Sequence, residues 1–331
     1  MRVLSAASRS TVAMLAVGMA LLAVSTVVSS CGKVNELKAM KAFKSANQAY
    51  SAQDYKKAAD LYEEAIQAAP DTQAGHQSYF FLGNSYDNLY KPSKKGEADN
   101  DALLTKAVDN YSKAAETLST SNDPTDKTLA RRSLEFLVNT YGADKLNDPG
   151  KAEPVLQKMI QQDPGDPANY FQLAKLYEDA GAYDAAEQMY VKGKEAKPGD
   201  SAGYMQLAGY YNRQGQFDKT IEALEQRASR EPNNPEAYYT ISTFYWDKAF
   251  RDARLKDNEK RDYVQKGIQA IDHALQIKPD YAEALVYKGL LLRLEANMEK
   301  DPKKQQDLLK EADKLRDRAN ELRKKAASGT D

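Results

Sequence analysis

The sequence predicts an all-α solenoid of about seven helix–turn–helix repeats, closed by a charged C-terminal capping helix. Three observations carry that expectation. Tyr170, Leu173, Ala174, Tyr177, Gly181, Ala186, Tyr190 and Pro198 recur 34 residues later as Tyr204, Leu207, Ala208, Tyr211, Gly215, Thr220, Leu224 and Pro232. A fixed period of that size marks stacked supersecondary units, none of which can bury its apolar face alone. Apolar residues fall at helical spacing, as in Tyr170, Leu173, Ala174 and Tyr177, which share one face. The 12 prolines and 17 glycines punctuate these segments, and alternating β-branched runs are scarce after residue 31, so a sheet is not expected.

One repeat explains the rest. Residues 167–200 hold two short helices. The first ends at Gly181, where a left-handed cap is wanted. The second carries Tyr183, Ala186, Tyr190 and Gly193 and is stopped by Pro198, which lacks an N–H and restrains its predecessor. The pattern resembles the tetratricopeptide repeat. That resemblance implies a right-handed superhelix, first helices lining a concave groove, and a binding rather than catalytic role.

The N-terminus differs. Arg2 and Arg9 precede an uncharged stretch from Thr11 to Ser30, the charged and apolar regions of a secretory signal. The tetrad Val28-Ser29-Ser30-Cys31 is similar to the lipobox of bacterial lipoproteins. By that resemblance residues 1–30 are a signal peptide cleaved before Cys31, which receives lipid, palmitate included, on its sulfur and new N-terminus. Gly32, in place of an aspartate, implies delivery to the outer membrane, facing the periplasm. The alternative is an uncleaved anchor, since the 18 residues from Thr11 to Val28 reach the lower limit for spanning a bilayer.

The chain then reads in order. Residues 31–38 are expected to be a short tether, and the solenoid to span 39–331. The first repeat covers 39–72, with Ala42, Ala46 and Ala49 on one helix and Tyr55, Ala58, Tyr62 and Ala65 on the other. The second covers 76–121, with an exposed loop near Tyr90 to Gly96 inserted between its helices. The third, 131–166, has the weakest signature. The fourth and fifth, 167–200 and 201–234, are regular. The sixth, 235–281, carries an insert from Arg251 to Asp262 with no Pro or Gly, so longer helices are expected there rather than a loop. The seventh, 282–326, ends in a charged helix with a narrow stripe of Leu308, Ala312, Leu315, Ala319, Leu322 and Ala326, which suits a cap.

Nothing in the sequence points to catalysis, a cofactor or a metal. His76 and His273 stand far apart without nearby ligands, and no HExxH, CxxC or Gly-rich phosphate loop occurs. The 48 carboxylates are interspersed with 47 Lys and Arg, as on solvated helix faces. A formal charge of -1 gives no general pull toward nucleic acid.

Of 21 tyrosines, twelve occupy repeat packing positions, so the fold accounts for most of them. By the resemblance, the residue after each leading aromatic faces the groove: Phe80, Phe171, Met205 and Tyr239. One turn on lie Asn84, Lys175, Gly209 and Thr243, and after the second tyrosine Asp87, Glu178, Asn212 and Trp246. From these, Phe80, Asn84, Phe171, Lys175, Met205, Asn212, Tyr239 and Trp246 are the candidate partner-binding set. A neighbouring repeat or the tail helix covering the apolar row is the alternative. The function expected is a membrane-anchored scaffold, held by acylated Cys31, that binds a partner protein or peptide in the bacterial cell envelope. The alternative is a binding protein for a glycan or peptidoglycan fragment, with Tyr239 and Trp246 stacking on sugar beside Asn212.

Overall fold

The computed structural model describes residues 32–328, so the expected signal peptide and Cys31 lie outside the described residues. Within them the chain is fourteen α-helices and one 3-10 turn, without a strand. No described helix is long and apolar enough to cross a membrane. The described residues divide into two compact units, parted between Gln162 and Asp163.

The first unit holds α1 (32–51), α2 (Tyr55–Ala68), α3 (Gln73–Leu89), α4 (Ala98–Thr117), α5 (Pro124–Tyr141) and α6 (Pro149–Gln162). The second holds α7 (Pro167–Asp179), α8 (Tyr183–Ala196), α9 (Ser201–Arg213), α10 (Phe217–Arg230), α11 (Pro235–Arg251), α12 (Asp257–Ile277), α13 (Ala282–Met298) and α14 (Pro302–Ser328). Within each unit helices pack on their chain neighbours, and first helices also meet, α3 with α5 in the first unit and α11 with α13 in the second.

The sequence starts and stops these helices with local chemistry. Asp166, Asp200 and Asn234, one period apart, each accept a backbone N–H two residues on at 3.0 Å. This satisfies an N–H that has no intrahelical partner. Between the two helices of a hairpin the chain turns left-handed. Gly181 has φ 75° and Gly215 φ 69°, and Gln53 takes the same turn at φ 60°. Each turn is tied by the bond of a Schellman cap: Ala182 N–H to Tyr177 O at 2.8 Å, Gln216 to Tyr211 at 2.9 Å, Asp54 to Ala49 at 2.9 Å.

Side chains then fill the space between helices. Ala174 and Ala186 are wholly buried, and so are Tyr62 and Tyr111. The hydroxyls of these two tyrosines are satisfied: Tyr62 donates to Asn47 at 2.6 Å and Tyr111 accepts from Asn84 at 3.2 Å. Gly193 lets Phe171 lie on α8, since a Cβ there would stand 2.7 Å from Phe171 Cδ1. At the C-terminal end Ala312, Leu315 and Ala319 of α14 pack on Leu285 and Leu292 of α13, while Ala326 is exposed.

Two boundaries differ from expectation. The tether is helical: α1 begins at residue 32 rather than 39. The third repeat begins at Pro124 rather than 131. Asp123 caps it through the Thr125 N–H at 2.7 Å, and Pro124 supplies the fixed φ suited to a first helical position.

The inserts take two forms. Residues 91–97 are exposed, but Asn100 holds their ends, accepting from the Lys91 N–H at 2.9 Å and donating to Lys94 O at 3.1 Å. The sixth repeat extends its helices instead. The α11 and α12 helices run 17 and 21 residues, against 13 and 14 in α7 and α8.

Candidate functional site

In the first unit, two of the candidate residues belong to the core. Phe80 is 3% exposed. Its ring meets Tyr111 at 6.1 Å and Phe136 at 5.8 Å, and the Arg132 guanidinium lies over it at 5.7 Å. Asn84 is buried and its carbonyl accepts from Tyr50 at 2.5 Å and Asn88 at 2.8 Å. Neither can line a groove. Helix α5 brings Phe136 and Arg132 onto the apolar row and closes it.

The acidic positions are also spent internally. Asp87 accepts two bonds from Lys145 Nζ, at 2.6 and 2.8 Å, with its side chain 8% exposed. In the second unit Glu178 is clamped by Arg213, Nε to Oε1 at 2.7 Å and Nη2 to Oε2 at 2.9 Å, and by the Tyr190 hydroxyl at 3.0 Å. The Arg213 bonds hold the Glu178 carboxyl below the ordinary glutamate range. Burial, followed by the Glu178 bond and charge, pushes the Tyr190 hydroxyl up to about 12. A bidentate guanidinium–carboxylate pair of this kind fixes position as well as charge.

Thirty-four residues on, this pair becomes Asn212 and Asp247, and the clamp is gone. Asp247 turns instead to Arg251 on its own helix, at 2.6 Å. Here a cavity of ≈ 380 Å³ opens, lined by Asn212, Thr243, Phe244, Trp246, Asp247, Arg251 and Tyr287. Its floor is aromatic. Trp246 stacks on Phe250 at 5.0 Å and 9°, and Tyr287 meets Trp246 edge-on at 5.6 Å. Tyr239 stands behind, 5.3 Å from Tyr287 and 5.2 Å from Tyr281. Burial and the neighbouring tyrosines push the Tyr239 hydroxyl up to about 12.

The structure therefore gathers Asn212, Trp246 and, in the second rank, Tyr239. The other candidates of this unit lie elsewhere. Phe171 is half-buried and stacks on Tyr190 at 6.2 Å. Lys175 is exposed and paired with Asp179. Met205 is 36% exposed and its sulfur accepts from Arg227 at 3.1 Å. Sequence reasoning missed Phe250, Asp247, Arg251 and Tyr287. Phe250 stands one helical turn beyond Trp246, a readable signal. Tyr287 sits at a repeat position that carries no aromatic requirement.

A second cleft, ≈ 540 Å³, is lined by Glu225, Ser229, Tyr238, Lys266 and His273 among others. His273 stacks on Tyr238 at 3.9 Å, which gives it a packing role. Among the described residues no group of three or more His, Cys, Asp or Glu could hold a metal ion.

This architecture matches known repeat proteins. The tetratricopeptide repeat family profile matches residues 145–208. The chain is similar in fold to the C-terminal part of a TPR repeat-containing protein from Cytophaga hutchinsonii, at 16% identity and TM-score 0.50, covering 85% of this chain and 98% of that one. A tetratricopeptide repeat protein from Parabacteroides merdae matches at 14% identity and TM-score 0.43, over 83% of this chain and 99% of that one. YrrB, a TPR protein with an unusual peptide-binding site, matches at 18% identity and TM-score 0.38, over 64% of this chain and 96% of that one. Comparison with curated proteins finds no match.

Proposed function

We propose that this chain is a membrane-anchored scaffold that binds a partner protein or peptide in the bacterial cell envelope, through the cavity between Asn212 and Trp246. One observation carries the site. The clamp present at Glu178 and Arg213 is absent one period on, and the space it would fill is open and aromatic-floored. Trp, Tyr and Arg beside an apolar floor are the residues that anchor protein contacts. Asn212, Thr243 and Asp247 offer hydrogen-bonding groups for a peptide backbone. The lipobox-like tetrad at Val28 to Cys31 supports attachment through acylated Cys31, at the periplasmic face of the outer membrane.

The test is photocrosslinking in the native envelope from a probe replacing Asn212, with a probe replacing exposed Glu222 as control. A discrete adduct specific to position 212 and lost in Trp246→Ala is expected. Adducts equal at both positions, or indifferent to Trp246→Ala, would refute the site. Mass spectrometry of the mature N-terminus tests the anchor, and an intact Met1 in membranes would sink it.

The clustering of Tyr239, Trp246, Phe250, Tyr281 and Tyr287 keeps a glycan or peptidoglycan-fragment ligand as the second reading. Phe250 covers one face of Trp246, however, and sugar stacking needs a free ring face. Quenching of the single tryptophan by muropeptides, with no protein adduct at position 212, would favour this second reading.

A further inference from the structure

Helix α1 presents two unlike sides. Ala39, Ala42, Ala46 and Ala49 are buried, and their 3, 4, 3 spacing turns one face to the core. On the other side Val34 is 50% exposed, Leu37 65% and Met40 54%. Lys33, Lys41 and Lys44 are exposed around them, with Lys38 at the margin and Glu36 as the one carboxylate. Three of the six exposed large apolar side chains among the described residues thus fall on two turns of one helix. A terminal element of a repeat array ordinarily shows water a polar face. This one shows Val, Leu and Met ringed by lysine.

We propose that this face of α1 docks on an anionic phospholipid bilayer surface. Val34, Leu37 and Met40 enter the headgroup boundary and the lysines meet lipid phosphates. The inference rests on the membrane attachment proposed above. Residue 32 directly follows Cys31 and the apolar run from Thr11 to Val28, so α1 starts where the chain meets the bilayer. Met40 stands roughly 12 Å further along the helix, at about 1.5 Å per residue. A helix face with apolar residues flanked by lysines is the pattern that lies in a membrane interface. Charge argues against a second copy of the chain. Self-pairing would set lysines on lysines, and so would pairing with the tail of α14, where Arg323, Lys324 and Lys325 cluster.

Full-length protein carrying a spin label at Leu37→Cys, Met40→Cys or Gln48→Cys tests this in phosphatidylethanolamine–phosphatidylglycerol vesicles. Gln48 is exposed on the same helix but further from residue 32, and unsubstituted protein gives the baseline for any label on Cys31. Labels at 37 and 40 should lose access to a water-soluble nickel chelate and gain access to oxygen, while the label at 48 stays in water. Replacing phosphatidylglycerol with phosphatidylcholine, or reversing charge with Lys33→Glu, Lys41→Glu and Lys44→Glu, should return both labels to water. Labels at 37 and 40 as accessible as at 48 would overturn the proposal. So would protection that needs soluble envelope proteins and not vesicles, which would assign the face to a protein partner. Mass spectrometry on the same preparation separates the two readings. Acylated protein with labels in water overturns docking alone; unacylated protein with immersed labels overturns the lipid anchor alone.

Discussion

Arg213→Ala tests whether the repeats of the second unit are joined by buried polar clamps rather than by packing alone. The substitution removes two of the three donors to Glu178 and leaves the Tyr190 hydroxyl at 3.0 Å. The Glu178 side chain is 8% exposed, and that of Arg213 is 47% exposed. Hydrogen bonds to a charged group contribute about 1.5–3 kcal/mol each when sequestered. The half-exposed guanidinium pulls the pair back toward the surface value, so the expected loss is about 2 kcal/mol. For a unit of this size each kcal/mol moves Tm by about 2–4 °C, which gives a drop of roughly 6 °C by circular dichroism.

The pH dependence has a definite sign. The folded Glu178 carboxyl lies below its ordinary 4.5. A depressed carboxyl contributes stability above the unfolded value and loses it as pH falls through the folded one. The gap between wild type and Arg213→Ala therefore narrows below pH 4.5. A double-mutant cycle with Glu178→Gln should show coupling of about 1–2 kcal/mol. A single-mutant loss under about 0.5 kcal/mol, the range of an ordinary surface change, would refute the reasoning, as would a cycle without coupling.

Three further outcomes are expected. Gln53 adopts the left-handed turn that Gly181 and Gly215 take freely, so Gln53→Gly should stabilise by about 1 kcal/mol, read as a raised Tm, and Gln53→Val should do the reverse. Gly193→Ala should destabilise by about 1 kcal/mol although alanine favours helix, because the added Cβ meets the Phe171 ring and overpacking outweighs propensity; a raised Tm would count against that contact. Phe250→Ala should red-shift Trp246 emission by uncovering its face, at a cost within about 1 kcal/mol for so exposed a residue; unchanged emission would mean the stack does not persist in solution.

Most of the fold was legible in the sequence because the repeat period and the small-residue positions are local facts. The 34-residue register placed α7 to α10 closely, and the absence of Pro and Gly from Arg251 to Asp262 anticipated the long α11 and α12. The start of α1 was not legible from apolar spacing, since only Ala39 among its first eight residues is buried. The start of the third repeat was written in Asp123-Pro124, but its apolar signature is weak. The site was harder, because burial is decided by residues far along the chain. Phe80 is closed over by Phe136, Asp87 by Lys145 and Glu178 by Arg213, and no local pattern announces such pairs. Asn212 and Trp246 stayed open because the residue that would reach back to position 212 is an aspartate.

The polar pairs between hairpins have a consequence for how the chain keeps count of itself. An array of near-identical units can stack with one unit skipped, because apolar faces accept any similar neighbour. Here two junctions carry their own pairings: Tyr86 with Glu63 between the first and second repeats, and Arg213 with Glu178, Tyr211 and Lys219 with Glu187 between the fourth and fifth. Excising residues 201–234 would preserve the apolar register, yet it would bring Asp247 to the place of Arg213, opposite Glu178. Carboxylate would face carboxylate at that place. A chain so shortened should melt below the intact protein by more than the loss of one repeat's packing, with the deficit relieved by Asp247→Arg. The order of the units is thus written in charge, on a scaffold whose shape alone would let them be shuffled.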